Sequence, residues 1–290
     1  MTSNAPNFFI LGGAKCGTTS LYHLVRQHDE VFLIDDKEAR FFDNDAYYKQ
    51  GIETYLDNHF RGAEAYPLRG EATPNYLHHP KVVAPRLKKA LGDDLRFIVM
   101  LRDPVLRAWS HYLHMVRVAA EDRGFAEALE ADLAGRVDRP WSRYYSDGRY
   151  GRQLRKWYEY YDPGSFLIIL TSELRADMLG VARRTFAFLG VEPDVPITTG
   201  VETNPAAGRR LDWLARLLNK PNRVTNKLKL VIPFIVRQRA RDAFNRWNRR
   251  PLDRPRSMEP AIERVLRERY APHIRELEKL IGRDLSRWRT

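Results

Sequence analysis

The sequence predicts an α/β fold of three layers, a central parallel sheet flanked by helices, with a helical C-terminal extension. Two observations predict it. Short apolar runs bounded by turn residues alternate with amphipathic segments, the pattern of strands joined by crossover helices. The first of these runs also opens through a glycine-rich turn into a helix, a unit that binds phosphate in α/β proteins.

The elements follow in order. "NFFILGG" is a buried strand ended by glycine, and "TTSLYHLVRQH" is a helix with Leu21, Leu24 and Val25 on one face. "LRFIVML" is the second buried strand. It ends at "RDP", where Pro104 suits the first turn of the helix "VLRAWSHYLHMV". "YGRQLRKWYEYY" is amphipathic, and "SFLIIL" is the third strand. "MLGVARRTFAFLG" is a helix closed by Gly190. Beyond about Asn204 "RRLDWLARLLNK" and the basic "RQRARDAFNRWNRR" are expected to be helical, with the apolar "LKLVIPFIV" between them broken by Pro233. In the last helix Ile262, Val265, Leu266, Tyr270, Ile274, Leu277, Leu280 and Ile281 form one stripe, expected to pack on the main body. The expectation is a single domain over 1–290, its basic 204–290 part included.

The chain has 290 residues and is 43% hydrophobic, enough for a sizeable core. No stretch of about 18 apolar residues is present and the N-terminus lacks a basic leader, so a cytoplasmic location is expected. The single cysteine agrees and excludes both an intrachain disulfide and a multi-cysteine zinc site. The net charge of +12 is concentrated. Residues 209–256 hold twelve arginines and three lysines against Asp212, Asp242 and Asp253, which equals the whole excess. That segment is either a solvated helical face or a surface for an anionic partner.

The chemistry centres on "GGAKCGTTSL". A triphosphate loop reads G-x-x-x-x-G-K-[ST]. Here Gly12 and Gly17 keep the spacing, but Lys15 lies inside the loop and Thr18 follows the second glycine. A strand-to-helix turn of this kind aims unpaired amides at an anion, and Thr18, Thr19 and Lys15 add donors. The strand "RFIVML" ends in Arg102, where a nucleotide triphosphatase would use a carboxylate to help hold Mg²⁺. Asp103 is assigned to pairing or capping. Ser110 follows two turns into the next helix and, with Arg102, suits a second phosphate. The ligand implied has two anionic ends and needs no metal.

This combination resembles the PAPS-dependent sulfotransferases, a family with a P-loop-like fold; PAPS is 3′-phosphoadenosine 5′-phosphosulfate. The loop is similar to their 5′-phosphosulfate loop and "RFIVMLRDPVLRAWSHY" to their 3′-phosphate motif. "KEARFFD" resembles the E-x-x-[FH]-F segment of the heparan sulfate branch and its bacterial relatives. "GEATPNYL", "GRYGRQLRKWYEYY", "FLIILTSEL" and "LEKLIGRDLSRWR" also fit the family's order.

The resemblance implies a role for each matching position. Lys15 meets the bridging oxygen and the sulfuryl group. Cys16, Gly17, Thr18, Thr19 and Ser20 surround the 5′-phosphate, and Arg102 and Ser110 hold the 3′-phosphate. Arg209 and Arg210, in "NPAAGRRL", match a basic loop over the nucleotide. Tyr150 is either a nucleotide contact or a core residue. Glu38 matches the catalytic base, its pKa raised by burial beside Phe41 and Phe42. Glu71 is the alternative base or a structural carboxylate, and Arg40, Phe41 and Glu71 are expected on the acceptor side. Ala72 and Arg40 depart from the heparan sulfate pattern of Lys and His, which leaves the acceptor open among carbohydrate, glycolipid and secondary-metabolite hydroxyls.

The histidines, His78, His79, His111 and His114, are read as packing or surface residues. PAP, the 3′,5′-bisphosphate, is the expected product. The competing readings are a nucleic-acid-binding protein using 209–256 and a nucleotide kinase; no nucleic-acid motif and no metal carboxylate support them. The "KLKLVIPFIVRQRAR" stretch within 220–250 either contacts an anionic membrane or packs beneath the last helix.

Overall fold

The computed structural model describes residues 4–35, 37–118, 120–136, 139, 141–199 and 257–290, with the backbone of 207–209 and 249–251. Five parallel strands form one sheet in the order β2-β3-β1-β4-β5: β1 Phe8–Gly12, β2 Val31–Leu33, β3 Leu68–Ala72, β4 Arg96–Leu101 and β5 Phe166–Leu170. The helices before the last are α1 Thr18–Val25, α2 Asp45–Tyr48, α3 Ile52–His59, α4 Pro80–Leu91, α5 Pro104–Arg117, α6 Phe125–Leu133, α7 Tyr150–Tyr158, α8 Thr171–Ala176 and α9 Met178–Leu189; those of the sheet's own unit flank it. Helix α1 packs on α9, and α4 on α7. The last helix, α10, is Pro260–Ile281.

Strands β1 and β4 lie at the centre and are buried along almost their whole length, as continuous apolar strands of a sheet covered on both faces should be. Phe9 and Phe97 stack across them with ring centres 6.3 Å apart. Strands β2 and β3 have no counterpart among the strands expected from sequence. The first is apolar but only three residues long, and the second contains Arg69, Gly70 and Glu71, so neither stands out as a buried run. Pairing with β1 makes β3 a strand: Phe8 faces Gly70 and Ile10 faces Ala72. Gly70 is required, because a Cβ there would lie 2.2 Å from the Phe8 ring.

The chain divides into two compact units. The first comprises 1–107, 147–203 and 265–290 and holds the whole sheet. Helix α10 is fastened within it. Leu266, Tyr270, Ile274 and Leu277 are buried, whereas Val265 is exposed, so the stripe is narrower than its apolar sequence implies. Arg267 bonds Asp103 at 2.8 Å and the Trp288 carbonyl at 2.9 Å, and Arg283 pairs with Glu173 at 2.8 Å. Asp103 also caps α5 by accepting from Val105 N–H at 2.8 Å, so it performs both roles the sequence assigned.

The second unit comprises 108–146 and 204–264. Within it the buried Glu121 carboxylate accepts from Arg123, Arg139 and Tyr144, whose hydroxyl lies 3.0 Å away. Trp109, Tyr112, Phe125 and Tyr144 form an aromatic cluster beside α6. Two short strands pair antiparallel, β6 Ala207–Arg209 with β7 Arg249–Pro251. Arg249 and Arg250 were expected at the end of a helix and instead occupy a strand, because main-chain pairing outweighs a weak helical preference at the segment's end. Arg210, the helices expected over 211–248 and most of the basic 220–250 stretch lie outside the described residues.

Candidate active site at the end of the first strand

The loop after β1 is shaped by two left-handed glycines and a left-handed lysine. Gly12 has φ 118°, and a Cβ on it would lie 2.1 Å from the Pro74 carbonyl oxygen. Gly17, at φ 94°, caps α1 with no side chain of its own. Lys15 has φ 68°, a conformation that costs a non-glycine residue energy and so marks a position held by its surroundings.

Several loop amides are spent inside the protein. Gly13 N–H donates to the Met100 carbonyl, Cys16 N–H to the Gly13 carbonyl at 3.1 Å, and Ala14 N–H to His78 Nε2 at 3.2 Å. Among the described residues the amides of Gly17, Thr18 and Thr19 have no hydrogen-bond partner. They lie together at the positive end of the α1 dipole, where an anion is stabilised. Thr18 is buried; Lys15, Thr19 and Ser20 are half-buried.

Arg102 stands at the end of β4 beside this loop. One guanidinium nitrogen donates to the Lys15 carbonyl at 3.4 Å, while Nε is buried without a partner. Burial, and then the nearby Arg175, lower its pKa, against smaller opposing pulls from Cys16, Tyr150 and Asp103. Buried polar atoms are normally hydrogen-bonded, so an orphaned one is a candidate position for a ligand atom. Ser110 lies on α5, in the part that belongs to the second unit. Arg209 is described only through its backbone in β6.

Tyr150 and Cys16 are structural neighbours of the loop. Tyr150 is buried; its hydroxyl donates to the Arg102 carbonyl at 3.0 Å and lies 3.6 Å from the Cys16 sulfur. Of the two roles left open for Tyr150, the core role matches this geometry. Burial pushes the Cys16 thiol up, the direction that disfavours its thiolate. Arg107 is wholly buried nearby. Burial alone would lower its pKa, but Tyr270, Tyr150, Asp147 and Cys16 hold it above the ordinary value.

Sequence reasoning missed three contributors. His78 bonds the loop itself. Thr171, the first residue of α8, donates to the carbonyls of both Cys16, at 2.7 Å, and Leu101, at 3.0 Å, and so clips the loop to β4. Arg175 adds positive charge beside Arg102. His78 and Arg175 have no periodic or motif signal, and Thr171 lies in "FLIILTSEL" without its contact to the loop being readable there, because sheet topology rather than spacing brings each in.

Glu38, and Arg40 and Phe41 expected at the acceptor, fall on a second turn, after β2. Glu38 and Arg40 have φ 72° and 57°, left-handed like Lys15. The turn is tied to the end of β3: Glu38 N–H donates to the Ala72 carbonyl at 3.1 Å, and Arg40 N–H reaches Thr73 Oγ1 at 3.5 Å. The Glu38 side chain is 47% exposed and lies 3.5 Å from Lys37. The burial expected beside Phe41 and Phe42 is absent, because both rings turn into the core. Phe41 stacks on Tyr55 at 4.6 Å and is fully buried, so it is a packing residue and not an acceptor contact. The Arg40 guanidinium is held by Asp43 at 2.8 Å, and Asp43 also accepts from Asn75.

Glu71 is the buried carboxylate. Its oxygens accept from the hydroxyls of Tyr55 and Thr73, and burial pushes its pKa up to about 7 against these bonds. Fully buried and enclosed, it has no surface to offer an acceptor, and its structural reading accounts for the geometry. Tyr76, whose hydroxyl accepts from Phe42 N–H, completes this support beneath the Glu38 turn.

Residues 5–203 match the family described as the sulfotransferase domain, more than two thirds of the chain and including both turns and Arg102. The chain belongs to the sulfotransferase family. A crystal structure of a sulfotransferase from Alicyclobacillus acidocaldarius superposes with a TM-score of 0.72 at 28% identity and covers 99% of each chain. The heparan sulfate glucosamine 3-O-sulfotransferase 3A1 of Mus musculus is 31% identical over 188 residues, 64% of this chain and 46% of that protein. The membrane-associated sulfotransferase kil1 of Dictyostelium discoideum is 38% identical over 109 residues, 37% of this sulfotransferase-family chain and 22% of that protein. This sulfotransferase-family chain thus spans less than half the length of these two relatives. Among its described residues no helix is long and apolar enough to cross a membrane.

Proposed function

We propose that the protein transfers the sulfuryl group of 3′-phosphoadenosine 5′-phosphosulfate to a hydroxyl of a carbohydrate, glycolipid or secondary metabolite. The observation that carries this is the unpartnered amides at Gly17–Thr19 together with Arg102, which bonds the Lys15 carbonyl of the same loop and whose Nε is buried and orphaned. One end suits the 5′-phosphosulfate and the other the 3′-phosphate, and neither calls for a metal. Family membership and the 31% identity to a heparan sulfate sulfotransferase support the same reading.

The bound donor supplies an activated sulfuryl group and leaves as adenosine 3′,5′-bisphosphate. Lys15 meets the charge that grows on the departing phosphate, and the Gly17–Thr19 amides orient it; fixed donors in a dry site lower a charged barrier more than water does. Glu38 accepts the proton of the attacking hydroxyl. It is the exposed carboxylate of the two, held on a strained turn that Ala72 and Thr73 position, whereas Glu71 is enclosed. Arg40, clamped by Asp43, lines the acceptor approach. We assign the protein to the cytoplasm on sequence grounds.

The test is competition. The bisphosphate product should bind and be displaced by the phosphosulfate donor but not by equimolar ATP; equal displacement by ATP points to a kinase. With labelled donor and a cell extract as acceptor source, Glu38→Gln should abolish transfer, more than a hundredfold, while bisphosphate affinity stays within about twofold. Undiminished turnover in that variant removes Glu38 as the base.

A further inference from the structure

His78 is a buried imidazole that reaches the donor loop, and the sulfate-donor reading does not use it. It ends the short turn 74–78 that follows β3. That turn is rigidly held: Trp157 Nε1 donates to the Leu77 carbonyl at 3.3 Å, and the Tyr76 hydroxyl accepts from Phe42 N–H at 3.1 Å. The ring lies against Gly13, where a Cβ would be 3.6 Å from His78 Cε1, and its Nε2 accepts the Ala14 amide.

An imidazole nitrogen that accepts an N–H carries no proton, so the other nitrogen must. His78 therefore adopts the neutral Nδ1–H tautomer, with Nδ1 facing Asp147 Oδ1 at 3.9 Å. The two are not an ion pair. Burial pushes the ring's pKa down to about 4 against the pull of Asp147, and Arg107 and His79 add to the lowering. Gln153 faces the ring from α7.

A loop that wraps a triphosphate turns successive amides toward the phosphates. Here Gly13, Ala14 and Cys16 are committed elsewhere. We propose that His78 is a positioning residue that withdraws the Ala14 amide from the anion cradle, fixing the left-handed Lys15 so that its side chain, rather than backbone amides, faces the sulfuryl end of the donor. The inference rests on the sulfate-donor reading. It assigns to this chain's own His78 a part in holding the loop ready before ligand arrives.

The first measurement needs no variant. Ring ¹⁵N shifts of the wild type at pH 7 should report an unprotonated Nε2; an Nε2–H tautomer overturns the proposal. His78→Phe keeps the ring volume and removes the acceptor, and His78→Gln returns an acceptor oxygen. In His78→Phe the Ala14 amide should exchange with solvent at least tenfold faster, and affinity for the phosphosulfate donor should fall about tenfold, the scale of one lost hydrogen bond. Affinity for adenosine 3′-monophosphate, which has no 5′ group, should not change, and His78→Gln should recover both losses. An equal loss for both nucleotides, or unchanged Ala14 exchange, means that His78 only stabilises the fold and overturns the proposal. Tight donor binding that His78→Phe leaves intact removes the role of His78 alone. A wild type that binds no phosphosulfate removes the donor reading and this role with it.

Discussion

Replacing Glu71 by Gln isolates the cost of one buried charge beneath the site. The carboxyl is fully buried, and its pKa is pushed from 4.5 to about 7, first by burial and against the hydrogen bonds of Thr73, Tyr55 and Tyr76. At ~1.4 kcal/mol per tenfold in proton affinity, that rise corresponds to about 3 kcal/mol. The sign follows from linkage. Below the unfolded value of 4.5 both states hold the proton and no penalty exists. Between 4.5 and about 7 the unfolded chain is ionised while the native state still holds its proton, so native stability falls as pH rises. Above about 7 the native carboxylate is ionised and the full penalty is present. Gln mimics the neutral acid at every pH. The stability of Glu71→Gln relative to wild type should therefore increase by roughly 2–3 kcal/mol from pH 5 to pH 8. Urea unfolding of both proteins at pH 5, 6, 7 and 8 measures it, and the subtraction removes every other titrating group. A difference that stays constant to within about 0.5 kcal/mol across that range would refute the assignment of a buried, destabilised carboxylate.

Two further substitutions test the site. Arg102→Ala should weaken the bisphosphate by about 10–100-fold, the loss of charge-assisted hydrogen bonds, and leave adenosine 5′-phosphosulfate, which lacks the 3′-phosphate, within about threefold. A loss shared by both nucleotides, measured by calorimetry, assigns Arg102 to the loop's structure instead. Gly12→Ala places a methyl 2.1 Å from the Pro74 carbonyl at φ 118°. It should cost about 3 kcal/mol or more, since overpacking and backbone strain add; denaturant unfolding with a loss under about 1 kcal/mol shows that the Pro74 turn can retreat.

The turn proposed to hold the donor stands out in the sequence because its signals are local. A glycine-rich turn between an apolar run and a helix, a displaced lysine and an arginine at a strand end are properties of a few consecutive residues, and Gly12, Lys15, Gly17 and Arg102 occupy one locality in the fold. Asp103 was read as a cap or partner and is both, because a residue just before Pro104 at a helix start has few other uses. The turn proposed for the acceptor was less readable. "KEARFFD" marks the turn, but which way each side chain faces depends on a core the string does not contain. Phe41 and Phe42 turn inward to Tyr55 and Tyr76, and that leaves Glu38 exposed.

The sequence by itself determined the alternation of buried strands and amphipathic helices, the glycine-rich turn after the first strand and the family, since each depends on residue type and short-range order. Tertiary structure decided the rest. It made strands of "VFL" and "LRGEA" through pairing with neighbours. It enclosed Glu71 and opened Glu38, though both are glutamates beside turns. It also carried His78, 64 residues from Ala14, onto the loop. The physical reason is common to all three: strand pairing, desolvation and the partner of a buried hydrogen bond are set by what the fold brings alongside, and side-chain spacing along the chain does not encode that.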